Sequence, residues 1–136
     1  MGLKSLFKRP YKWTLEEDFT IMLPCALTIP NFENEWCIIK NNTLTIKSGY
    51  SWDGCSPKRT LFGKLVGTWD GNILEETEKQ ELYYPSLVHD VLCQFKIGKR
   101  KVNDQIFHWM MAKVDFELKE LYYRAVRVFG CLFDRR

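Results

Sequence analysis

The chain has 136 residues, of which 46% are hydrophobic, and its 20 basic and 17 acidic residues leave a formal net charge of +3. This length suffices for one domain with a single core and is too short for two ordinary domains. The hydrophobic fraction excludes an intrinsically disordered chain, and the mild charge neither indicates nor excludes binding to nucleic acid. We therefore expect a single domain over residues 1–136.

The cysteines and the hydropathy of the sequence indicate the cellular compartment in which the protein is expected. Five widely spaced cysteines without a CxxC pair are typical of reduced thiols in a cytosolic protein. A zinc site built from them is not expected, because no two lie close enough for a zinc knuckle. The N-terminus lacks the apolar region of a signal peptide, and no apolar run approaches transmembrane length. We expect a soluble protein without membrane insertion, in which all five cysteines are reduced.

The first half of the chain is typical of β structure. A basic N-terminal segment, residues 1–12, precedes a β-rich half over residues 13–59. Runs of strand-forming residues occur at Trp13–Leu23, Glu35–Lys40 and Thr43–Lys47. The last two runs flank Asn41-Asn42, and both asparagines tolerate positive φ, so we predict a two-residue hairpin there.

Turn chemistry closes the β-rich half. Asp53-Gly54 is typical of a turn, and Ser56-Pro57 resembles an N-cap followed by proline at the first helical position, which predicts a short helix. Residues 60–83 are interrupted by glycines and contain an acidic-polar run. We interpret that part as a surface excursion.

The second half, residues 84–133, is typical of helices. Apolar residues recur at helical spacing over Tyr84–Phe95, with Pro85 in the first turn, and again over Arg100–Val114. Strands followed by helices indicate an α+β fold, in which a small N-terminal antiparallel sheet packs against about three C-terminal helices.

A last helix is predicted over Phe116–Phe129, with Asp115 as its N-cap. Its apolar residues fall on one side, and Lys119, Arg124 and Arg127 make the outer face basic.

Five polar residues form the candidate site. His89 and Asp90 lie just outside the apolar face of their helix, on opposite flanks, and Asp104 lies at the margin of the next helix. With Asp53 and Ser56 of the turn they make a candidate polar cluster. Histidine with carboxylates can hold a divalent metal or act as an acid–base pair. It can equally be a structural network, because buried polar groups need partners. In either case we predict that His89 lies within hydrogen-bonding distance of Asp53, Asp104 or both. The sequence leaves the cofactor and the metal unknown.

Known catalytic motifs are missing from the sequence. The chain has only two histidines, and none precedes His89 to supply the further ligand that a His-Asp phosphohydrolase needs. HExxH, the P-loop, GxGxxG and the Gly-x-Ser-x-Gly elbow are absent as well. Asp104 and His108 have the four-residue spacing of helical metal ligands, but this pair is common by chance.

Four short motifs follow one another along the chain. They are Gly49-Tyr50-x-Trp52-Asp53-Gly54-Cys55-Ser56, Leu87-Val88-His89-Asp90-x-Leu92, Arg100-x-x-x-Asp104-x-x-Phe107 and Tyr123-x-Ala125-Val126-Arg127-x-x-Gly130. In this order, over about Leu15–Phe133, they resemble the domain-of-unknown-function 1353 family of tailed phages and prophages. That family's pattern is a Gly-aromatic-x-x-Asp-Gly-Ala-Ser segment, a His-Asp-x-Leu helix, an Arg-x-x-Ala-Asp-x-x-Phe helix and an Ala-Val-Arg-x-x-Gly ending.

By position, the polar residues of the family correspond to the same five candidates, Asp53, Ser56, His89, Asp90 and Asp104. The chain departs from the pattern in three places: Cys55 and Asn103 each replace an alanine, and Pro57 follows Ser56 one residue early. The early proline shifts the predicted helix start, which makes the role of Ser56 the least secure of the five.

The resemblance implies a phage origin but no particular activity. We expect a virion- or assembly-associated protein that acts by contact with phage or host proteins, located in the host cytoplasm during infection or in the virion. The alternative is a small hydrolase, metal-dependent or not, centred on His89 with Asp53, Asp90 and Asp104. A third hypothesis is an inhibitor of a host defence protein.

Overall fold

The computed structural model describes residues 13–52 and 70–129. The predicted basic segment 1–12, the turn and helix start with Asp53 and Ser56, part of the 60–83 excursion and the predicted helix stop at Gly130 lie outside the described residues. Within them, antiparallel strands in the N-terminal part and three helices in the C-terminal part make an α+β fold. This confirms the predicted class.

The described strands form two antiparallel sheets. A four-stranded sheet has the order β2-β5-β4-β3, and a two-stranded sheet pairs β1 with β6. The strands are β1 (Trp13–Thr14), β2 (Phe19–Met22), β3 (Phe32–Glu33), β4 (Cys37–Lys40), β5 (Thr43–Ile46) and β6 (Ser51–Trp52). Burial alternates along β4 and β5, where Cys37, Ile39, Leu44 and Ile46 are buried. One face of the larger sheet therefore contributes to the core.

The predicted hairpin is confirmed at Asn41-Asn42. Both residues have positive φ, 51° and 59°, as a two-residue turn of the primed type requires. The Asn42 side chain also holds the neighbouring loop: its Oδ1 accepts the Ile29 N–H at 2.9 Å, and its amide donates to the Pro24 carbonyl at 3.1 Å. This asparagine fixes both the hairpin and the loop that packs beside it.

The predicted Trp13–Leu23 strand is divided between the two sheets. β1 pairs with β6, whereas β2 pairs with β5, and the acidic residues 16–18 separate them. Charged residues at the centre of this run explain the break, because they favour solvent over a half-buried sheet surface. Strand β3 was not predicted from the sequence.

Three helices follow, α1 (Tyr83–Gln94), α2 (Arg100–Lys113) and α3 (Lys119–Phe129). Pro85 lies in the first turn of α1 as predicted, where its missing N–H leaves no intrahelical bond unmade. The prediction of a last helix from Phe116 with Asp115 as its N-cap is wrong, since α3 begins only at Lys119.

Asp115 instead ends α2. It has a φ of 57°, its N–H donates to the Ala112 carbonyl at 3.0 Å, and the Phe116 N–H donates to the Met111 carbonyl at 3.0 Å. These two bonds form a Schellman motif, the usual left-handed end of a helix. The same motif ends α1 at Lys96, which has a φ of 54°. Asparagine and aspartate tolerate this conformation better than most residues, so an N-cap and a C-terminal stop are easily confused in sequence.

The core has two parts that meet along α2. The first lies between the sheets, α1 and the inner residues of α2, and includes the fully buried Trp52 and Leu87. The second lies between α2 and α3, around Phe107, Phe116 and Tyr122. Helix α1 is therefore packed between the sheets on one side and α2 on the other, and its polar residues must find partners inside the protein.

Candidate functional site

Helix α1 carries buried polar side chains on two of its flanks. Ser86, Asp90 and Gln94 follow at four-residue intervals, and His89 and Cys93 form a second row with the same spacing. The exposed fraction is 3% for Ser86 and Asp90 and 2% for His89. The first row faces Tyr50 and Trp52, and the second faces α2.

A hydrogen bond between His89 and Asp104 joins α1 to α2. His89 Nε2 lies 2.6 Å from Asp104 Oδ1, and the Asp104 side chain is fully buried. Because the ionised carboxylate carries no hydrogen, the bonding proton lies on Nε2. The ring of Phe107 covers the imidazole at a centroid distance of 4.9 Å. The prediction that His89 lies within hydrogen-bonding distance of Asp53, Asp104 or both is confirmed at Asp104, and Asp53 lies outside the described residues.

The second oxygen of Asp104 binds arginine. Arg127 of α3 donates Nη1–H to Asp104 Oδ2 at 2.8 Å, and Arg100 Nε lies 3.7 Å from the same oxygen. Arg100 also donates to the Arg127 backbone carbonyl at 2.8 Å. A buried carboxylate needs this compensation, because desolvation would otherwise cost several kcal/mol. We call His89, Asp104 and Arg127 the carboxylate cluster.

Helical periodicity predicts that Arg127 lies on the outer face of the last helix. The structure corrects this, since its side chain is 33% exposed and its guanidinium reaches inward to Asp104. Helical periodicity places the Cα atom, but the long arginine side chain can bend several ångströms towards a buried anion.

Cys93 lies beside the imidazole. Its Sγ atom is 3.7 Å from Nε2 and 3.9 Å from Nδ1 of His89. Cys93 is disulfide-bonded, while Cys25 and Cys37 are free, so its partner lies outside the described residues. The prediction that all five cysteines are reduced is therefore wrong at Cys93. Spacing in the sequence could not reveal this, because a disulfide joins cysteines that only the fold brings together.

Among the described residues, one group of three side chains has the composition and spacing of a metal-binding set. One donor atom from each of His89, Cys93 and Asp104 lies within 4.8 Å of the others. Two ligands on one tetrahedral zinc ion, each about 2.0–2.2 Å from it, would lie about 3.3 Å apart. The 2.6 Å separation of Nε2 and Oδ1 is a direct hydrogen bond and leaves no room for an ion between them. A disulfide sulfur also lacks the thiolate charge that binds zinc.

On its other flank, α1 is joined to the sheets. The Tyr50 hydroxyl lies 2.6 Å from both Asp90 Oδ2 and Gln94 Oε1. One phenolic hydrogen cannot serve two acceptors, so it goes to the carboxylate, and the Gln94 amide satisfies the pair when its NH₂ faces the hydroxyl. Trp52 Nε1 donates to Ser86 Oγ at 2.9 Å. These bonds fix β6 and the residue before it against α1.

The structure does not bring the five predicted site residues together in one cluster. His89 and Asp104 come together in the carboxylate cluster, whereas Asp90 belongs to the Tyr50 group on the opposite flank. Asp53 and Ser56 lie outside the described residues.

The helical pair Asp104 and His108 does not share a ligand site. His108 Nε2 lies 2.8 Å from Glu120 Oε2 of α3, at the protein surface. The hydrogen bond with His108 lowers the pKa of Glu120 below its usual value. His108 therefore fastens α2 to α3 on the outside, while Asp104 does so on the inside.

Sequence reasoning missed the partners contributed by Arg127, Tyr50, Trp52 and Ser86. A signal existed for the sheet side: Ser86, Asp90 and Gln94 repeat every four residues, which indicates a polar stripe along a helix that is otherwise buried. No comparable signal indicates Arg127, because a basic residue near a helix C-terminus is equally typical of a solvated face.

Comparison with protein-family models, with curated proteins and with solved structures gives no match to this chain. The resemblance to the phage family therefore stays a prediction from the four motifs. In the described part of the chain, every helix is too short or too polar to cross a membrane.

Proposed function

We propose that this protein acts by contact with other proteins, as a component of a phage particle or of its assembly, and that the carboxylate cluster organises its fold. The observation that carries the proposal is the closure of the cluster. One oxygen of Asp104 binds His89 at 2.6 Å, and the other binds Arg127 at 2.8 Å.

A catalytic base needs an approach for its substrate. His89 is only 2% exposed, Asp104 is fully buried, and Phe107 lies against the imidazole. The three polar members come from three different helices, which is the arrangement expected of groups that fix helices in place. A buried ion pair with good geometry gives such specificity even where its net contribution to stability is small.

The particle setting rests on the resemblance of the four motif blocks to the family found in tailed phages and prophages. The part of the chain that the structure describes contains two members of the second and third blocks, His89 and Asp104, in direct contact. A contact between motif residues explains why a family would keep them without catalysis, since each would leave the other unpaired if lost.

The second candidate is a hydrolase centred on His89, and one observation favours it. Cys93 Sγ, His89 and Asp104 have donor atoms within 4.8 Å of one another, the composition of a cysteine–histidine–carboxylate centre or of a metal site. Either activity would require Cys93 to be released from its disulfide. A metal would also require Asp104 to leave His89 or Arg127.

The experiment compares the wild-type protein, reduced and unreduced, with His89→Ala. Elemental analysis after dialysis should give less than a stoichiometric amount of any divalent metal, and added zinc should leave the melting temperature of both proteins unchanged. His89→Ala should be less stable. A stoichiometric metal that is lost in a folded His89→Ala protein would overturn the proposal in favour of the hydrolase.

Particles purified from an infected host should contain the protein, and its absence from particles and assembly intermediates would contradict the particle setting.

A further inference from the structure

Among the strands that the structure describes, β2 lies at an edge of the larger sheet. In the order β2-β5-β4-β3, its one strand neighbour within residues 13–52 and 70–129 is β5. The Leu23 N–H donates to the Asn42 carbonyl, and the register pairs Ile21 with Leu44 and Phe19 with Ile46. Hydrogen-bonded pairs alternate along an antiparallel ladder, so the backbone groups of Thr20 and Met22 point away from β5.

Exposed side chains accompany this open edge. Met22 is 74% exposed, and Thr20 is exposed as well. Natural proteins usually protect a free edge with lysine, proline or a covering element. Residues 19–22 include neither lysine nor proline. The loop that carries Leu74 and Gln80 flanks this edge across a groove, and no described strand pairs with it on that side. An edge of this kind is a template for pairing with another extended segment.

An apolar groove of about 250 Å³ runs beside the edge. Phe19 stacks on Tyr84 of α1 with ring centroids 4.4 Å apart. The apolar part of the lining includes Phe19, Ile21, Leu74, Tyr84, Met110 and Val114. Pockets for drug-sized ligands occupy about 300–1,000 Å³, so this groove suits one or two side chains of a segment lying along β2.

An acidic surface adjoins the groove. Glu16, Glu17 and Asp18 directly precede β2 and line a second groove, which shares Thr77 and Tyr84 with the first. Asp18 accepts the Ser48 N–H at 2.8 Å. Glu16 and Glu17 form no ion pair within the described part of the chain.

The field of these carboxylates reaches the aromatic residues of the groove. Burial, followed by the negative charges of Glu17 and Glu16, raises the pKa of Tyr84. Lys79 also lines the second groove, but its ammonium lies over the Tyr83 ring at 4.8 Å. The surface next to β2 is therefore suited to a cation at the end of a docked segment.

We propose that β2 binds an extended segment of a partner protein by strand addition, with an apolar side chain of the segment in the groove and lysine or arginine beside Glu16 and Glu17. This inference rests on the proposed function and adds the chemistry of the partner. Backbone bonds to Thr20 and Met22 supply affinity, while the groove and the acidic residues supply selectivity.

A second copy of the chain fits this surface less well. Pairing β2 with β2 of another molecule would satisfy both edges, but residues 19–25 carry no lysine or arginine to place beside Glu16 and Glu17. The approaching copy would bring its own residues 16–18, which are acidic. Charge complementarity therefore favours a basic partner over self-association.

The probe for the experiment is a fluorescently labelled peptide, Lys-Lys-Thr-Val-Thr-Leu-Thr-Lys-Lys, added to the full chain and followed by anisotropy. The same peptide with glutamate in place of every lysine is the control. We expect the basic peptide to bind at least about tenfold more tightly, a difference that decreases at high salt. Equal binding of the two peptides, or binding of neither, would overturn the proposal.

Two pairs of variants locate the site. Thr20→Pro removes the outward N–H and should weaken binding about fivefold to tenfold. Thr20→Val is the control. Like Thr20→Pro, it removes the side-chain hydrogen bond to Thr45 Oγ1 at 3.0 Å, but it keeps the backbone N–H, so the variant should bind the peptide within about twofold of wild type. Glu17→Lys should weaken binding, whereas Glu33→Lys, the same charge change on β3 at the opposite edge, should not.

Hydrogen exchange gives a measurement that needs no variant. The amides of Thr20 and Met22 should exchange rapidly in the free protein and become protected with the basic peptide. A concentration-dependent dimer that Thr20→Pro dissolves would instead show that a second copy covers the edge, and would overturn the inference. None of these measurements involves His89, so the edge can fail as a binding site while the elemental analysis still supports the proposed function.

Discussion

Asp104 and His89 are joined by a 2.6 Å hydrogen bond between two helices, and the same carboxylate binds Arg127 of a third helix at 2.8 Å. A single buried side chain of α2 therefore contacts both α1 and α3. Few apolar contacts could specify the relative position of three helices so narrowly, because hydrogen bonds are directional while hydrophobic contacts are not.

Replacing His89 tests whether this hydrogen bond supports the fold. His89→Ala leaves one oxygen of a fully buried carboxylate without its donor and should lower the free energy of unfolding by about 1–3 kcal/mol. His89→Gln retains an N–H donor and should lose less. Urea denaturation followed by circular dichroism measures both values. A His89→Ala protein as stable as wild type would contradict the structural role and indicate a strained functional site.

Asp104→Asn should lower the free energy of unfolding more than the replacement of His89 or of Arg127 alone. The change keeps the shape but removes the negative charge that His89 and Arg127 meet, at a cost of about 2–4 kcal/mol. Arg127→Met should cost less, because the Arg127 side chain is 33% exposed and water already screens part of the ion pair.

A double-mutant cycle isolates the contribution of the contact between Asp104 and Arg127 to stability. Asp104→Asn and Arg127→Met should couple by about 1–2 kcal/mol, whereas Asp104→Asn and the surface change Glu33→Gln, on edge strand β3, should be additive. Additivity of the first pair would show that the Arg127 contact contributes nothing to stability.

Tyr50→Phe tests the junction between sheet and helix on the other flank of α1. It removes the hydroxyl that donates to the buried Asp90 carboxylate at 2.6 Å, and hydrogen bonds to charged groups are worth about 1.5–3 kcal/mol. Tyr84→Phe is the matched control: it is partly buried on the same helix, and we expect a change within about 0.5 kcal/mol. Equal effects of the two substitutions would mean that the Tyr50–Asp90 bond is not important for folding.

Much of the architecture follows from local patterns in the sequence. The hairpin was predictable because only a few residues tolerate positive φ, and Asn41-Asn42 stands between two strand-like runs. The helical spacing of apolar residues located α1 and α2 to within one or two residues. The contact of His89 with Asp104 was predictable too, because both lie at margins of apolar faces where a polar group needs a partner.

The features that were missed depend on tertiary contacts. Asp115 has the chemistry of an N-cap and of a left-handed stop, and only the positions of Phe116 and Met111 decide between them. Arg127 lies on a solvated face by periodicity but reaches a buried anion whose position the sequence of α3 does not encode. The disulfide of Cys93 likewise depends on a cysteine that only the fold brings close.

The state of Cys93 is open to direct measurement. Peptide mapping without reductant should find Cys93 in a disulfide-linked peptide pair, with Cys25 and Cys37 as free thiols. Reduction should lower the unfolding free energy by about 2–4 kcal/mol, and Cys93→Ser should abolish this effect of reductant. Five free thiols in the folded, unreduced protein would contradict the disulfide and support the prediction that all five cysteines are reduced.

Cys37 should make stability depend on pH in the alkaline range. Its side chain is fully buried on β4, and burial raises the pKa of the thiol from 9.0 to about 11. The unfolded chain therefore loses this proton at a lower pH than the folded protein, so the associated stability is complete below about pH 9 and is lost as the pH rises to about 11. A shift of this size corresponds to about 2–3 kcal/mol.

Cys37→Ala should be less stable at pH 7, because it leaves a small cavity, but its stability should fall less steeply between pH 9 and pH 11. Denaturation curves of both proteins across that range give the difference in slope, and Cys25→Ala, at an exposed thiol, controls for alkaline effects on the rest of the chain. Parallel pH profiles for wild type and Cys37→Ala would show that the buried thiol does not couple folding to its ionisation.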